Sequence, residues 1–133
     1  MYLLDTNIWL ERLLDQEKSE EVRLFLDSIP SQLIAITDFA FHSVAIVLCK
    51  LQRTDVLKSL IQDAFIEGSV SLIHLEPEDI YRVVSVIENH KLDFDDAYQY
   101  VAAEKYGIEL VSFDSDFDHT DLGRKTPREI LNR

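Results

Sequence analysis

The first nine residues, Met1 to Trp9, read MYLLDTNIW, an apolar run of strand length that stops at Asp5 and turns at once through Thr6-Asn7. A strand that delivers a carboxylate to its own C-terminal end and then enters a helix places charge where open α/β sheets bind ligands. Asp, Thr and Asn are also preferred helix N-caps, so DTN before Ile8-Trp9-Leu10 has a purely local use as well. Recurrence decides between the two. A second apolar strand, Glu109 to Ser112, runs into Asp114 and Asp116, and the helix before it opens with Asp95-Asp96. Separate elements thus aim carboxylates at chain-reversal points.

Between these anchors strands and helices alternate. Short apolar strands are expected at Leu33 to Ile36 and Val70 to Leu75. Helices are expected from Ile8 to Leu14, Ser19 to Leu26, Phe39 to Leu51, Arg53 to Glu67, Glu76 to Asn89, Asp95 to Tyr106 and Pro127 to Leu131. Gly68 and Gly107 stand where C-caps are wanted, and Thr37-Asp38 can start the Phe39 helix. That helix is apolar almost all round, which implies packing on two sides, against the sheet and against a neighbouring helix or second subunit. The alternation implies a parallel sheet covered on both faces.

A chain of 133 residues fits one domain spanning residues 1–133 with a full core. The single cysteine, Cys49, lies in an apolar run and reads as core; without a disulfide partner it favours a reducing setting. Asp5 interrupts any signal-peptide-like apolar start, and no stretch is long and apolar enough for a membrane span, so a cytoplasmic protein with no membrane partner is expected. The 13 basic residues face 25 acidic ones, a net charge of −12 that opposes polyanion binding unless cations occupy some of the carboxylates. Arg124, Lys125, Arg128 and Arg133 form a basic C-terminal segment that reads as a solvated tail.

If Asp5, Asp96 and Asp114 converge, each carboxylate pair ~4 Å apart at an effective dielectric near 20 repels by ~4 kcal/mol. A divalent cation removes that conflict, and all-oxygen ligands select Mg²⁺ or Mn²⁺. One or two such ions activate a water and orient it in line with a phosphodiester, which makes this a phosphoryl-transfer site. Thr6 and Ser112 are placed to hydrogen-bond the ligands, and Asn7 to orient Asp5. Removing the repulsion by Asp5→Asn is expected to raise the melting temperature of the metal-free chain.

MYLLDTN, the stretch LDFDDAYQYVAAEKYGIELVSFDSDFD from Leu92 to Asp118, and TPREIL near the end resemble the PIN-domain family, most closely its VapC-type toxins. The resemblance covers essentially the whole chain. It implies a three-layer α/β/α fold with a central parallel sheet and Mg²⁺- or Mn²⁺-dependent endoribonuclease activity on an RNA substrate. It further implies the toxin of a type II toxin–antitoxin pair, with an antitoxin partner and a homodimer or higher homo-oligomer. Asp5, Asp96 and Asp114 match the family's catalytic and metal-binding acids, and Asp116 a further, less constant metal ligand. The second family acid, usually Glu, falls at Ser43, and Asp38 lies about five residues too early to replace it, which bears on whether one ion or two are held.

Asp95 and Asp96 point about 100° apart on a helix, so one of them faces the site and Asp95 is an N-cap or a solvated acid. The four histidines show no ligand spacing. Tyr98 and Tyr100 suit core packing better than base stacking. A receiver-type signalling domain is the rival from another class, but no lysine ends a late strand. A phosphatase of the haloacid-dehalogenase type needs an acid where Asn7 stands. A weak or inactive PIN-like binding module is the alternative that Ser43 motivates.

Overall fold

The computed structural model describes residues 1–133. Its centre is a four-stranded, all-parallel sheet of β1 (Tyr2–Leu4), β2 (Ile34–Thr37), β3 (Ser71–Ile73) and β4 (Glu109–Val111), in the order β3-β2-β1-β4. Side chains alternate along each strand, and in the central strands β1 and β2 and in β4 both sets enter the core, whereas Leu72 of edge strand β3 is exposed. Leu3, Ala35, Ile73 and Leu110 enter one core cluster, and Leu4, Ile34, Ile36 and Val111 the other. This two-sided burial explains why the strands read as unbroken apolar runs.

Helices α5 (Ile80–His90) and α6 (Phe94–Tyr106) cover the first face. The second is covered by α1 (Thr6–Leu13), α2 (Ser19–Ser28), α3 (Asp38–Lys50), α4 (Thr54–Leu60) and α7 (Pro127–Leu131). Small residues on α6, Ala97, Ala102 and Ala103, are fully or almost fully buried and let that helix lie close to the sheet. Gly107 ends it at φ +65°, a conformation that favours glycine. The result is the expected three-layer α/β/α architecture.

Several local expectations change. The expected helix over Arg53 to Glu67 is α-helical only to Leu60, then widens into a π-helix over Ile61–Glu67. Gly68 follows it in extended geometry rather than as a left-handed cap; a Cβ there would sit 2.6 Å from the Asp63 carbonyl oxygen and 2.7 Å from that of Ala64. Cys49 is exposed, because the buried stripe of α3 is Ala40, Val44 and Leu48, four residues apart. The outward face of that helix carries Ile46 in solvent.

The basic C-terminal segment is docked rather than free. Arg124 pairs with Asp118 and donates to the Ser112 carbonyl, Arg133 pairs with Glu109, and Thr126 and Glu129 form the capping box of α7. Tyr98 and Tyr100 are buried, which leaves neither ring free to stack on a base.

Candidate metal centre

In the strand order β3-β2-β1-β4 the chain moves outward from β1 in one direction through β2 and β3, then returns to β1's other side as β4. The crevice beyond the C-terminal ends of β1 and β4 is therefore the topological switch point, where ligands bind in open α/β sheets. Parallel pairing puts Leu4 beside Val111, and the Asp5 amide donates to the Val111 carbonyl at 2.9 Å. The Asp5 and Asp114 loops thus leave the sheet side by side.

Asp5 caps α1 and is only 6% exposed. Its Oδ1 accepts from the Thr6 amide at 2.8 Å and from Gln99 Nε2 at 3.1 Å; its Oδ2 accepts from Ser112 Oγ at 2.8 Å and, at 3.4 Å, from Asn7 Nδ2. Thr6 acts through its backbone rather than its hydroxyl. Ser112 does more than touch Asp5: its hydroxyl also accepts from Asn7 Nδ2 at 3.1 Å and from the Asp114 amide at 2.9 Å. Asn7 Oδ1 in turn accepts from the Phe113 amide at 3.2 Å. The DTN turn and the loop after β4 are fastened into one unit.

Asp96, Asp114 and Asp116 each offer a carboxylate oxygen within 4.8 Å of the others. Asp114 is itself pinned, accepting from the Asp116 amide at 2.8 Å. Asp5 lies deeper and does not complete that close group, but its charge is felt there. Partial burial, reinforced by Asp114, Asp5, Asp95 and Asp93, pushes the Asp96 carboxyl up to about 7. Burial also raises Asp5, against the pull of its hydrogen bonds from Ser112, Gln99 and Thr6. Asp95 is exposed, as a solvated acid would be, and the N-cap of α6 is Asp93.

Ser43 is half-buried on α3, one turn beyond Phe39, whose ring packs on Phe94 and Tyr98 of α6. Asp38 does not stand in for an acid there; its Oδ1 accepts from the Phe39 amide and the Tyr98 hydroxyl, each at 2.8 Å. The β2 end reaches Asp5 through neutral groups instead. Thr37 Oγ1 donates to Gln99 Oε1 at 2.6 Å. Sequence reading passed over Gln99 and gave Thr37 only a capping role. The available signal was a lone amide one turn after Asp96, on the stripe that also carries Ala102 and Ala103.

The PIN domain family model matches residues 2–122. The chain belongs to the PIN-domain family. Among solved structures this PIN domain is similar to a chain of a toxin–antitoxin complex from Klebsiella pneumoniae, with a TM-score of 0.76 and 21% identity over 96% of this chain and 98% of that one. It is also similar to VapC20 of Mycobacterium tuberculosis, described as a Sarcin-Ricin loop cleaving toxin, with a TM-score of 0.77 and 14% identity over 92% and 96% of the two chains. FitAcB from Neisseria gonorrhoeae gives a TM-score of 0.74 at 21% identity over 96% and 99%. At these identities the likeness establishes the fold. No curated protein sequence matches significantly.

The donor set of this PIN domain fits a hard cation: the clustered ligand atoms are all carboxylate oxygens, and the charges that raise Asp96 are all acidic. The hydrogen bonds reverse one expectation. Asp5→Asn would turn an amide NH₂ toward groups that already donate, so it should destabilise the metal-free chain. Asp96 accepts no hydrogen bond from the protein, so Asp96→Asn is the substitution expected to raise its melting temperature.

An Asp that titrates near 7 when folded and near its ordinary 3.8 when unfolded holds its proton more tightly in the native state. The group therefore favours the metal-free fold below about pH 4 and loses that contribution as the pH rises to about 7. A cation competes with the same proton, so Mn²⁺ affinity should rise roughly tenfold per pH unit below about 7 and level off above it. Calorimetric titrations across this range test it, and Asp96→Asn should flatten the dependence.

Proposed function

We propose that this PIN domain is a Mg²⁺- or Mn²⁺-dependent endoribonuclease and the toxin of a type II toxin–antitoxin pair. The observation that carries the reading is the meeting of Asp96, Asp114 and Asp116 within 4.8 Å, beside buried Asp5, at the β1/β4 switch point. Asp96, Asp114 and Asp5 are the residues that would hold the cation, with Asp116 at the exposed rim. When bound, it supplies Lewis-acid polarisation of a phosphodiester and a water nucleophile at neutral pH. The chain's own groups do the rest. Ser112 and Asn7 hold Asp5 and the Asp114 loop in fixed relation, and α6 sets the height of Asp96.

Lys18 Nζ lies 4.6 Å from the centre of the ring of Phe113, the residue before Asp114 in the loop that follows β4. A basic group there offsets part of the repulsion that a net charge of −12 imposes on an RNA backbone. The antitoxin partner draws support from similarity to chains solved as toxin–antitoxin complexes. A groove of about 890 Å³ lined by Trp9, Leu13 and Leu60 together with Arg12, Arg23, Arg53, Asp27 and Asp63 is roomy enough to take a mixed apolar and charged segment of such a partner. Exposed Ile46 on α3 and Leu51 just past its end, 55% and 54% accessible, are apolar groups that a homodimer contact there would cover. A monomer by light scattering at high concentration would count against that element.

The test of activity is cleavage of structured and unstructured RNA with Mn²⁺. The chain should cut and chelation should stop it. Asp96→Asn and Asp114→Asn should abolish cutting, whereas Asp95→Asn, on the solvent side of α6, should change the rate by no more than a few-fold. Equal losses at Asp95 and Asp96, or cutting that survives chelation, would overturn the assignment.

A further inference from the structure

Building on the metal-dependent reading above, we infer that Gln99 and Thr37 form a directional hydrogen-bond relay that positions the Asp5 carboxylate for the cation. The relay starts at the N-terminus of α3, where the Ala40 amide donates to Thr37 Oγ1 at 2.9 Å. The hydroxyl has one hydrogen to place, and Gln99 Oε1, 2.6 Å away, accepts it. A side-chain amide has one oxygen and one NH₂, so fixing the oxygen on Thr37 leaves the NH₂ for Asp5 Oδ1, at 3.1 Å. The threonine hydrogen and the acceptor-only Asp5 carboxylate thus favour the same amide orientation. The opposite orientation would face a carboxylate with a carbonyl.

All three side chains are shut from solvent: Thr37 is 0%, Gln99 2% and Asp5 6% exposed. No buried side-chain polar atom here lacks a partner, so removing one link would leave its neighbour unsatisfied in the core. In such surroundings successive hydrogen bonds polarise one another.

Placement separates Gln99 from Asp5's other donors. The Thr6 amide and Asn7 belong to Asp5's own turn, and Ser112 to the loop that leaves the adjacent strand. Gln99 comes from α6, one turn after Asp96. It ties the buried carboxylate to the helix that carries the outer one, so the distance between them is set by a rigid element. The relay is also the route by which the β2–α3 junction reaches the site, through groups that add no charge. Ordinary core packing would need the amide satisfied; it would not need a donor aimed at Asp5.

Mn²⁺ titration calorimetry beside thermal melts of the metal-free proteins distinguishes these roles. Gln99→Met and Thr37→Val should each weaken Mn²⁺ binding by about 10- to 100-fold, the range seen when groups that orient metal ligands are removed. Thr37→Ser keeps the hydroxyl and should restore affinity relative to Thr37→Val. Variants that melt earlier yet bind Mn²⁺ as the parent does would reduce the pair to a structural tie and overturn the inference. Asp96→Asn serves as the control for the underlying reading. A parent chain that binds no Mn²⁺, or binds it unchanged in Asp96→Asn, overturns the metal-dependent nuclease and the relay with it; a parent whose binding needs Asp96 but ignores Gln99 and Thr37 overturns the relay alone.

Discussion

One buried carboxylate constrains this structure more than any other group. Asp5 is almost sealed from water at the end of a central strand, and no basic side chain of the protein pairs with it. An isolated charge in that position is costly, and hydrogen bonds to the ionised form are the available compensation. The fold supplies them from three directions: its own turn through Thr6 and Asn7, the loop leaving β4 through Ser112, and α6 through Gln99. Each donor must arrive with its own element in register. The pairing of β1 with β4, the DTN turn and the seating of α6 on the sheet are therefore one requirement seen from three sides.

The same arrangement gives the site its graded character. Asp5 is deep and hydrogen-bonded; Asp96 and Asp114 are half-exposed; Asp116 lies in solvent. The inner acid is fixed, and the outer group collects the repulsion, which appears as the raised carboxyl of Asp96. On the proposed metal-dependent reading, a cation entering from solvent would meet the outer acid, whose carboxyl is pushed up to about 7, before the hydrogen-bonded inner one. Ser43, the position at which the resemblance places the family's usual Glu, is a half-buried neutral residue of α3. Thr37 and Gln99 occupy the link between that helix and Asp5 with neutral groups.

Much of this was legible in the sequence because the physics is local and repeated. Apolar runs of strand length ending in Asp5 and before Asp114 gave both the sheet and the carboxylates at its edge, and TPREIL carried its capping box openly. What was hidden depends on distant partners. Cys49 sits among apolar neighbours, yet a one-position rotation past Leu48 turns it outward. The widening of the helix after Leu60 leaves the apolar spacing of Leu60, Ile61, Ala64 and Phe65 unchanged, so periodicity does not register it. The relay of Thr37 and Gln99 joins residues 62 positions apart, a separation no local pattern encodes. The docking of Arg124 on Asp118 and the Ser112 carbonyl likewise needed the path of the chain after β4.

The central claim is that the β1/β4 switch point holds a divalent cation between the inner and outer acids. Anomalous scattering from crystals soaked in Mn²⁺ above the pH at which Asp96 titrates tests it most directly. A peak is expected about 2.1 Å from carboxylate oxygens of Asp96 and Asp114 and within reach of Asp5, at the spacing of hard-ion coordination. A crevice without a peak at saturating Mn²⁺, or an ion held solely by the exposed Asp93 and Asp95, would contradict it.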